Sequence, residues 1–210
     1  MLHVDNISVM LGGTEIFHQL SLELATREIV SLVGPSGSGK TTLLRAIAGL
    51  QPLTSGRIFV ADRDVTEIPT YRRGIGMVFQ DNQLFSHLSV FNNIAYSLRI
   101  KRTAKATRQQ KVDDMLQLVG LAGFGERSTT ELSGGEAKRV AVARSLAAEP
   151  SVLLLDEPLT GLDGELHRRL LLDLSVLLRD RGTTVVHVTH DHAEANELSN
   201  RIVDIRTLCR

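Results

Sequence analysis

The chain has 210 residues, 42% apolar and 23% charged, the ordinary makeup of a soluble single-domain protein long enough to bury a core without disulfides or structural metal. Lys+Arg and Asp+Glu both number 24, and a formal net charge of zero weighs against a dedicated nucleic-acid binder, which is usually basic. The one cysteine, Cys209, cannot form an internal disulfide, so nothing points to secretion.

The opening residues, MLHVDNISV, lack the basic-then-apolar order of a signal peptide. Strands are expected at 3–9, 19–24 and 28–33. The third runs into a Gly/Ser-rich loop, 34–39, followed by a helix over 40–50. Further strands are expected at 57–60 and 76–79. From 83 to 120 the pattern turns helical, with Val112, Met115, Leu116 and Val119 on one face. The basic run 99–111 reads as a solvated face. A helix from Gly134 stops near Ala148, before Pro150, and the four apolar residues 152–155 suit a buried parallel strand. The next helix, 165–180, holds the most apolar helical stretch, 170–178. Asp173 interrupts it and Arg168, Arg169 and Arg179 flank it, so it is no membrane span. A buried strand is expected at 184–188. Strands separated by helices imply an α/β fold with a mainly parallel sheet.

Gly34-Pro35-Ser36-Gly37-Ser38-Gly39-Lys40-Thr41, with Thr42 behind it, matches the phosphate-loop pattern G-x-x-x-x-G-K-[ST] between a strand and a helix. The glycines let successive N–H groups point inward, and the helix N-terminus adds to the anion cradle. Lys40 supplies a point charge at the β/γ-phosphates and Thr41 a hydroxyl for Mg²⁺. A Gly-rich turn with an incidental lysine is the bland alternative, and the flanking strand and helix argue against it. Asp156 and Glu157 close the apolar run 152–155 at the sheet's carboxyl edge, where ligands bind. Asp156 can hold Mg²⁺ and Glu157 can polarise an attacking water. Leu132-Ser133-Gly134-Gly135-Glu136 opens a helix as a second anion-binding N-terminus. It also reads as a capping box, and the two readings are compatible. His187, His190 and His192 with Asp191 are a weak metal cluster, because strand alternation sends His187 and His190 to opposite faces. His187 is better read as packed and His192 as a helix-start residue.

Phosphate loop, Leu-Ser-Gly-Gly-Glu and Asp-Glu, in this order, resemble the ATP-binding cassette ATPases from about residue 2 to 203. The resemblance implies a P-loop NTPase core with a mainly parallel sheet, an N-terminal antiparallel β region and a helical subdomain at about 81–150, all within one domain, 1–210. It implies ATP and Mg²⁺ as ligands. By resemblance, Gln80 is the Q-loop glutamine that contacts Mg²⁺ and water, Asp163 the D-loop aspartate and His190 the switch histidine beside the γ-phosphate. Two chains placed head to tail, as a homodimer or heterodimer, would bring Ser133 of one against the γ-phosphate held by Lys40 of the other. Hydrolysis then removes charge-assisted contacts from both chains and loosens the closed dimer.

Three features depart from the family. Its adenine-stacking aromatic falls at Leu11, its Pro-Gly-Glu turn reads Thr26-Arg27-Glu28, and the chain ends at Arg210 with no C-terminal regulatory domain expected. Arg72 to Asp81 and Leu84 to Val90 resemble importer ATPases for inorganic ions, polyamines, thiamine or sugars. The expected partners are a separate membrane permease, met partly through Phe85, Leu88 and Phe91, and an extracytoplasmic substrate-binding protein. These place the chain on the cytoplasmic face of the membrane. An exporter subunit is the alternative. A cassette acting on DNA or ribosomes is disfavoured, because only 93 positions separate Lys40 from Ser133 and no heptads intervene. A non-hydrolysing structural partner is disfavoured by Glu157 and His190.

Overall fold

A computed structural model describes residues 1–209. In chain order the elements are β1 (Leu2–Leu11), β2 (Thr14–Leu24), β3 (Ile29–Val33), α1 (Lys40–Ala48), β4 (Ser55–Val60), β5 (Arg63–Asp64), β6 (Ile75–Val78), α2 (Val90–Ile94), α3 (Tyr96–Ile100), α4 (Lys105–Leu118), α5 (Gly134–Ala147), β7 (Val152–Asp156), α6 (Gly164–Arg181), β8 (Thr184–Val188), α7 (His192–Leu198) and β9 (Arg201–Asp204). One sheet has the order β2-β1-β4-β5, with its pairings antiparallel. The other has the order β6-β7-β8-β3-β9, with β7, β8, β3 and β9 parallel. The described residues form two compact units: 1–77, 151–157 and 174–209 in the first, 78–150 and 158–173 in the second.

Every residue of β3, β7 and β8 is buried. Strands covered on both faces read as near-continuous apolar runs rather than alternations, which makes them legible despite Ser31, Asp156, Thr184 and His187. β2 is longer than expected, because in its first half Thr14, Glu15, His18 and Gln19 are all exposed and break the apolar alternation. Gly12 and Gly13, at φ 57° and 83°, form the two-residue turn that joins it to β1. In β1 the buried set changes phase between Val4 and Ile7, where the pairing with β2 shifts and Asn6 sits at φ 47°. The short edge strands β5 and β9 carry too few apolar residues to announce themselves.

The helical stretch 83–120 divides into a loop and three helices. Ser89 caps α2, its Oγ accepting from the Asn92 amide. The expected face of α4 is buried, with Val112, Met115, Leu116 and Val119 at 0 to 4% exposure. Asn93, fully buried, donates from Nδ2 to the carbonyls of Phe85 (3.1 Å), Leu88 (3.3 Å) and Ser89 (3.1 Å) and accepts the Phe85 amide at 2.9 Å. One amide side chain thereby shapes the whole 85–89 loop.

In the first unit, the C-terminus of α1 is anchored by a buried guanidinium. Arg73 donates from Nε to Ile68 O (2.8 Å), from Nη1 to Ile47 O (3.0 Å) and from Nη2 to Thr66 O (2.7 Å). A cation here complements the helix dipole and satisfies last-turn carbonyls. Arg73→Met keeps the stem and removes the donors, so urea unfolding should show a loss of about 3 kcal/mol, with Arg73→Lys recovering only part.

Candidate active site

The phosphate loop lies between the end of β3 and the start of α1. Pro35, Ser36 and Gly37 are exposed, while Gly34, Ser38, Gly39, Thr41 and Thr42 are partly buried. Gly39 is the N-cap of α1, at φ 89°, and no side chain caps the first-turn amides. A Cβ at Gly39 would lie 2.6 Å from Phe17 Cζ and 2.8 Å from Ile16 Cγ2, so only glycine fits. The Lys40 ammonium, 8% exposed, donates to Gly34 O at 2.8 Å and Pro35 O at 2.9 Å. It is folded back over the loop, and a phosphate chain would offer it a full counter-charge in place of two carbonyl dipoles.

Thr41 Oγ1 donates to Asp156 Oδ1 at 3.1 Å, joining α1 to the end of β7. Asp156 is 2% exposed. Burial pushes its carboxyl up, the Thr41 hydroxyl opposes that, and the neighbouring Glu157 charge raises it further. A divalent cation would relieve both raising effects. A hydroxyl and a carboxylate are the hard oxygen donors that Mg²⁺ takes. Glu157 sits at φ 48° with its amide donating to Val188 O at 3.0 Å. A non-glycine residue in this region carries strain of the kind concentrated at functional sites. Its Oε1 lies 3.1 Å from His190 Nδ1. The His190 side chain is 63% exposed, that of Glu157 18%. The first unit thus brings together Lys40, Thr41, Asp156, Glu157 and His190. His187 is fully buried 3.0 Å from Ser31 Oγ, and burial pushes its imidazole down to about 3, so it is a neutral packed side chain as expected. His192 begins α7, also as expected.

Leu11, 51% exposed, pairs with Thr14 at the hairpin end. Val9 pairs with Phe17 and Met10 with Glu15, which leaves Ile16 as an extra residue on β2. That bulge delivers Ile16 and Phe17 to Gly39, and bulges commonly re-aim side chains beside sites. Neither residue stood out in the sequence, where they sit among polar neighbours. Nor did the end of β9: a Cβ on Gly34 would lie 2.9 Å from Ile205 Cγ2 and 3.7 Å from Asp204 Oδ1. The Arg206 side chain and amide hold the Asp204 carboxyl down to about 2, and Lys40 lowers it slightly.

The second unit carries the remaining expected residues. Ser133 is the N-cap of α5, and the capping box is complete: Ser133 Oγ accepts the Glu136 amide at 3.3 Å and Glu136 Oε2 accepts the Ser133 amide at 2.7 Å. The Ser133 amide first, and the Ser133 hydroxyl after it, hold the Glu136 carboxyl below the ordinary range. A Cβ at Gly134 would meet nothing within 4 Å, while one at Gly135 would lie 3.1 Å from Leu162 Cδ2. Asp163 caps the start of α6, its Oδ1 accepting the Leu166 amide at 3.0 Å. Gln80 is exposed two residues beyond β6.

A protein-family model described as "ABC transporter" matches residues 17–160. The Fe(3+) ions import ATP-binding protein FbpC of Streptomyces coelicolor is 47% identical over 206 residues, which cover 98% of this chain and 59% of that protein. The spermidine/putrescine import ATP-binding protein PotA of Marinobacter nauticus is 41% identical, over 98% of this chain and 55% of that protein. The chain therefore spans rather more than half the length of these relatives. Among solved structures, the dimeric post-hydrolysis state of the ATP-binding cassette MJ0796 bound to ADP and Pi matches with a TM-score of 0.89 at 30% identity, covering 97% of this chain and 94% of that one. The family match takes in the phosphate loop, the Leu-Ser-Gly-Gly-Glu segment and the Asp156–Glu157 pair, and the chain belongs to the ABC transporter family as an ATP-binding cassette.

Proposed function

We propose that the chain binds and hydrolyses ATP as the motor subunit of an importer. The observation that carries this reading is one edge of the parallel sheet where Thr41 meets Asp156 at 3.1 Å and Glu157 meets His190 at 3.1 Å, beside the phosphate loop. Loop amides from Gly34 to Thr42 and the Lys40 ammonium would bind the phosphates. Glu157 would orient water for attack on the γ-phosphorus and take its proton, with His190 beside it. Thr41, Asp156 and Gln80 would hold Mg²⁺, which neutralises phosphate charge when bound. Ser133, Gly134, Gly135 and Glu136 would contact the nucleotide of a second copy, or of a related cassette, placed head to tail, with Asp163 at that interface. On this reading residues 1–210 are one cassette domain with a helical subdomain at about 81–150.

The importer assignment draws on the names of the relatives, which import ferric ions or polyamines. A permease and an extracytoplasmic substrate-binding protein would complete the machine. No helix among the described residues is long and apolar enough to cross a membrane, so the chain would reach the cytoplasmic face through the permease. Its docking surface would include the 85–91 segment. The Phe85 ring lies 4.7 Å from that of Tyr96, which is 43% exposed, and Arg144 sits 5.3 Å from the Phe85 ring centre.

Glu157→Gln keeps the side-chain shape and removes the base. It should bind ATP and migrate as a dimer in gel filtration with ATP and Mg²⁺, with turnover reduced roughly 10²-fold or more. Parental turnover would move the catalytic role elsewhere. Leu11 offers the adenine apolar contact without a π-face, so Leu11→Tyr should tighten ATP by about 3- to 10-fold. Titration of both proteins with ATP and GTP checks this, and a clear ATP preference in the parent would point to another base contact. Tyr96→Glu, on an exposed side chain, should leave ATP affinity unchanged and reduce recovery of the permease in pull-downs, whereas unchanged recovery would remove Tyr96 from the docking surface.

A further inference from the structure

Four polar side chains with no part in ATP chemistry as described lie buried behind His190. Ser31 and His187 are 0% exposed, Thr189 1% and Glu194 3%. A carboxylate buried among β3, β8 and α7 is expensive unless its partners compensate it, so its presence calls for a reason. Capping α7 is not that reason, because Asp191 Oδ1 already accepts the Ala193 and Glu194 amides at 2.7 and 3.3 Å. The His187 imidazole is 3.8 Å from Glu194 Oε1, too far for a hydrogen bond, and its own short contact is with Ser31.

Glu194 makes direct contact with Thr189, whose hydroxyl donates to Glu194 Oε2. The same hydroxyl accepts the Asp191 amide at 3.0 Å. The Thr189 amide reaches back to Leu32 O at 3.4 Å, at the end of the strand that enters the phosphate loop. Residues 189 and 191 flank His190, and both are tied to one hydroxyl that Glu194 holds in place. The backbone is fixed on either side of the imidazole, leaving only its side-chain torsions to be settled by the 3.1 Å contact with Glu157.

We propose that Glu194 and Thr189 are positioning residues for His190, a buried carboxylate–hydroxyl clamp that sets where the imidazole meets Glu157. This rests on the ATPase reading above. The clamp acts on geometry at the reacting end and not on the nucleotide, so its loss should lower kcat and spare KM for ATP. Displacements of about 1 Å in a positioning element can cost about 10²-fold in rate.

The test is steady-state ATPase kinetics on the purified chain, with ATP affinity and thermal unfolding measured on each variant. Thr189→Val keeps the shape and removes the hydroxyl. It should lower kcat between about 10- and 100-fold with KM within about 2-fold, while Thr189→Ser should restore most of the turnover. Glu194→Gln retains an acceptor for the hydroxyl and should stay within a few-fold of the parent, whereas Glu194→Met removes it and should lower kcat about 10-fold or more, which keeps the clamp testable if Thr189→Val folds poorly. In a His190→Ala background, Thr189→Val should cause no further loss. Parental kcat in Thr189→Val, an equal additional loss without His190, or a Glu194→Gln as slow as Thr189→Val would each overturn the clamp. A His190→Ala variant with parental turnover would instead remove the role given to His190 in the ATPase reading, an outcome the other measurements do not mimic.

Discussion

The parallel register of three buried strands underlies the site. Leu32 of β3 pairs with Val188 of β8, and Val188 with Asp156 of β7. The ladder continues one residue beyond, through the Glu157 amide on Val188 O and the Thr189 amide on Leu32 O. Parallel strands whose carboxyl ends stop at one level deliver their following residues to one edge. Here those residues are the phosphate loop, Glu157 and the Thr189–His190 turn. A one-residue slip in either pairing would turn Asp156 or His187 to the other face of the sheet, and the apolar packing of Val30, Leu32, Leu154, Val186 and Val188 in one core cluster opposes it.

The edge is electrostatically poised. Asp156 is buried with a hydroxyl as its short-range partner, Lys40 rests on two carbonyls, and His190 reaches toward Glu157. Each group is satisfied well enough to be stable and would be satisfied better by a nucleotide with its cation. Ligand-induced rearrangement follows from such differential satisfaction, since a ligand shifts a structure only by what it binds better in one state than in another. The network of Ser31, His187, Thr189 and Glu194 has no such shortfall at Thr189, whose hydroxyl is used as donor and acceptor. A rigid base beneath a responsive edge is the arrangement expected where reacting groups must be pre-set.

One departure from the family pattern, Leu11, concerns what would surround the nucleotide. Leu11 and the bulge residue Ile16 present aliphatic surface near the hairpin end and at Gly39. Phe17 touches the loop but is 2% exposed, so its ring belongs to the core. Affinity would then depend more on phosphate contacts than on the base. The C-terminal end of β9 also closes on the loop, through Ile205 and Asp204 at Gly34.

The phosphate loop, the capping box at Ser133 and the Asp156–Glu157 pair were legible in the sequence because each is a short contiguous pattern whose chemistry is local. A helix N-terminus binds anions wherever the rest of the chain goes. The strands 152–156 and 184–188 were legible because burial on both faces leaves a mostly apolar run, broken only by Asp156 in one and by Thr184 and His187 in the other. Other features depend on residues distant in sequence. The Arg73 cap on α1 and the delivery of Ile16 and Phe17 to Gly39 are such cases. So is the Thr189–Glu194 clamp, five positions long but buried only because β3, β8 and α7 enclose it. Sequence alone determined which residues can do chemistry on a phosphate chain. Only the tertiary structure decided which polar groups lose water and must therefore hold one another in place, because desolvation is a property of the packed fold and not of any segment of it.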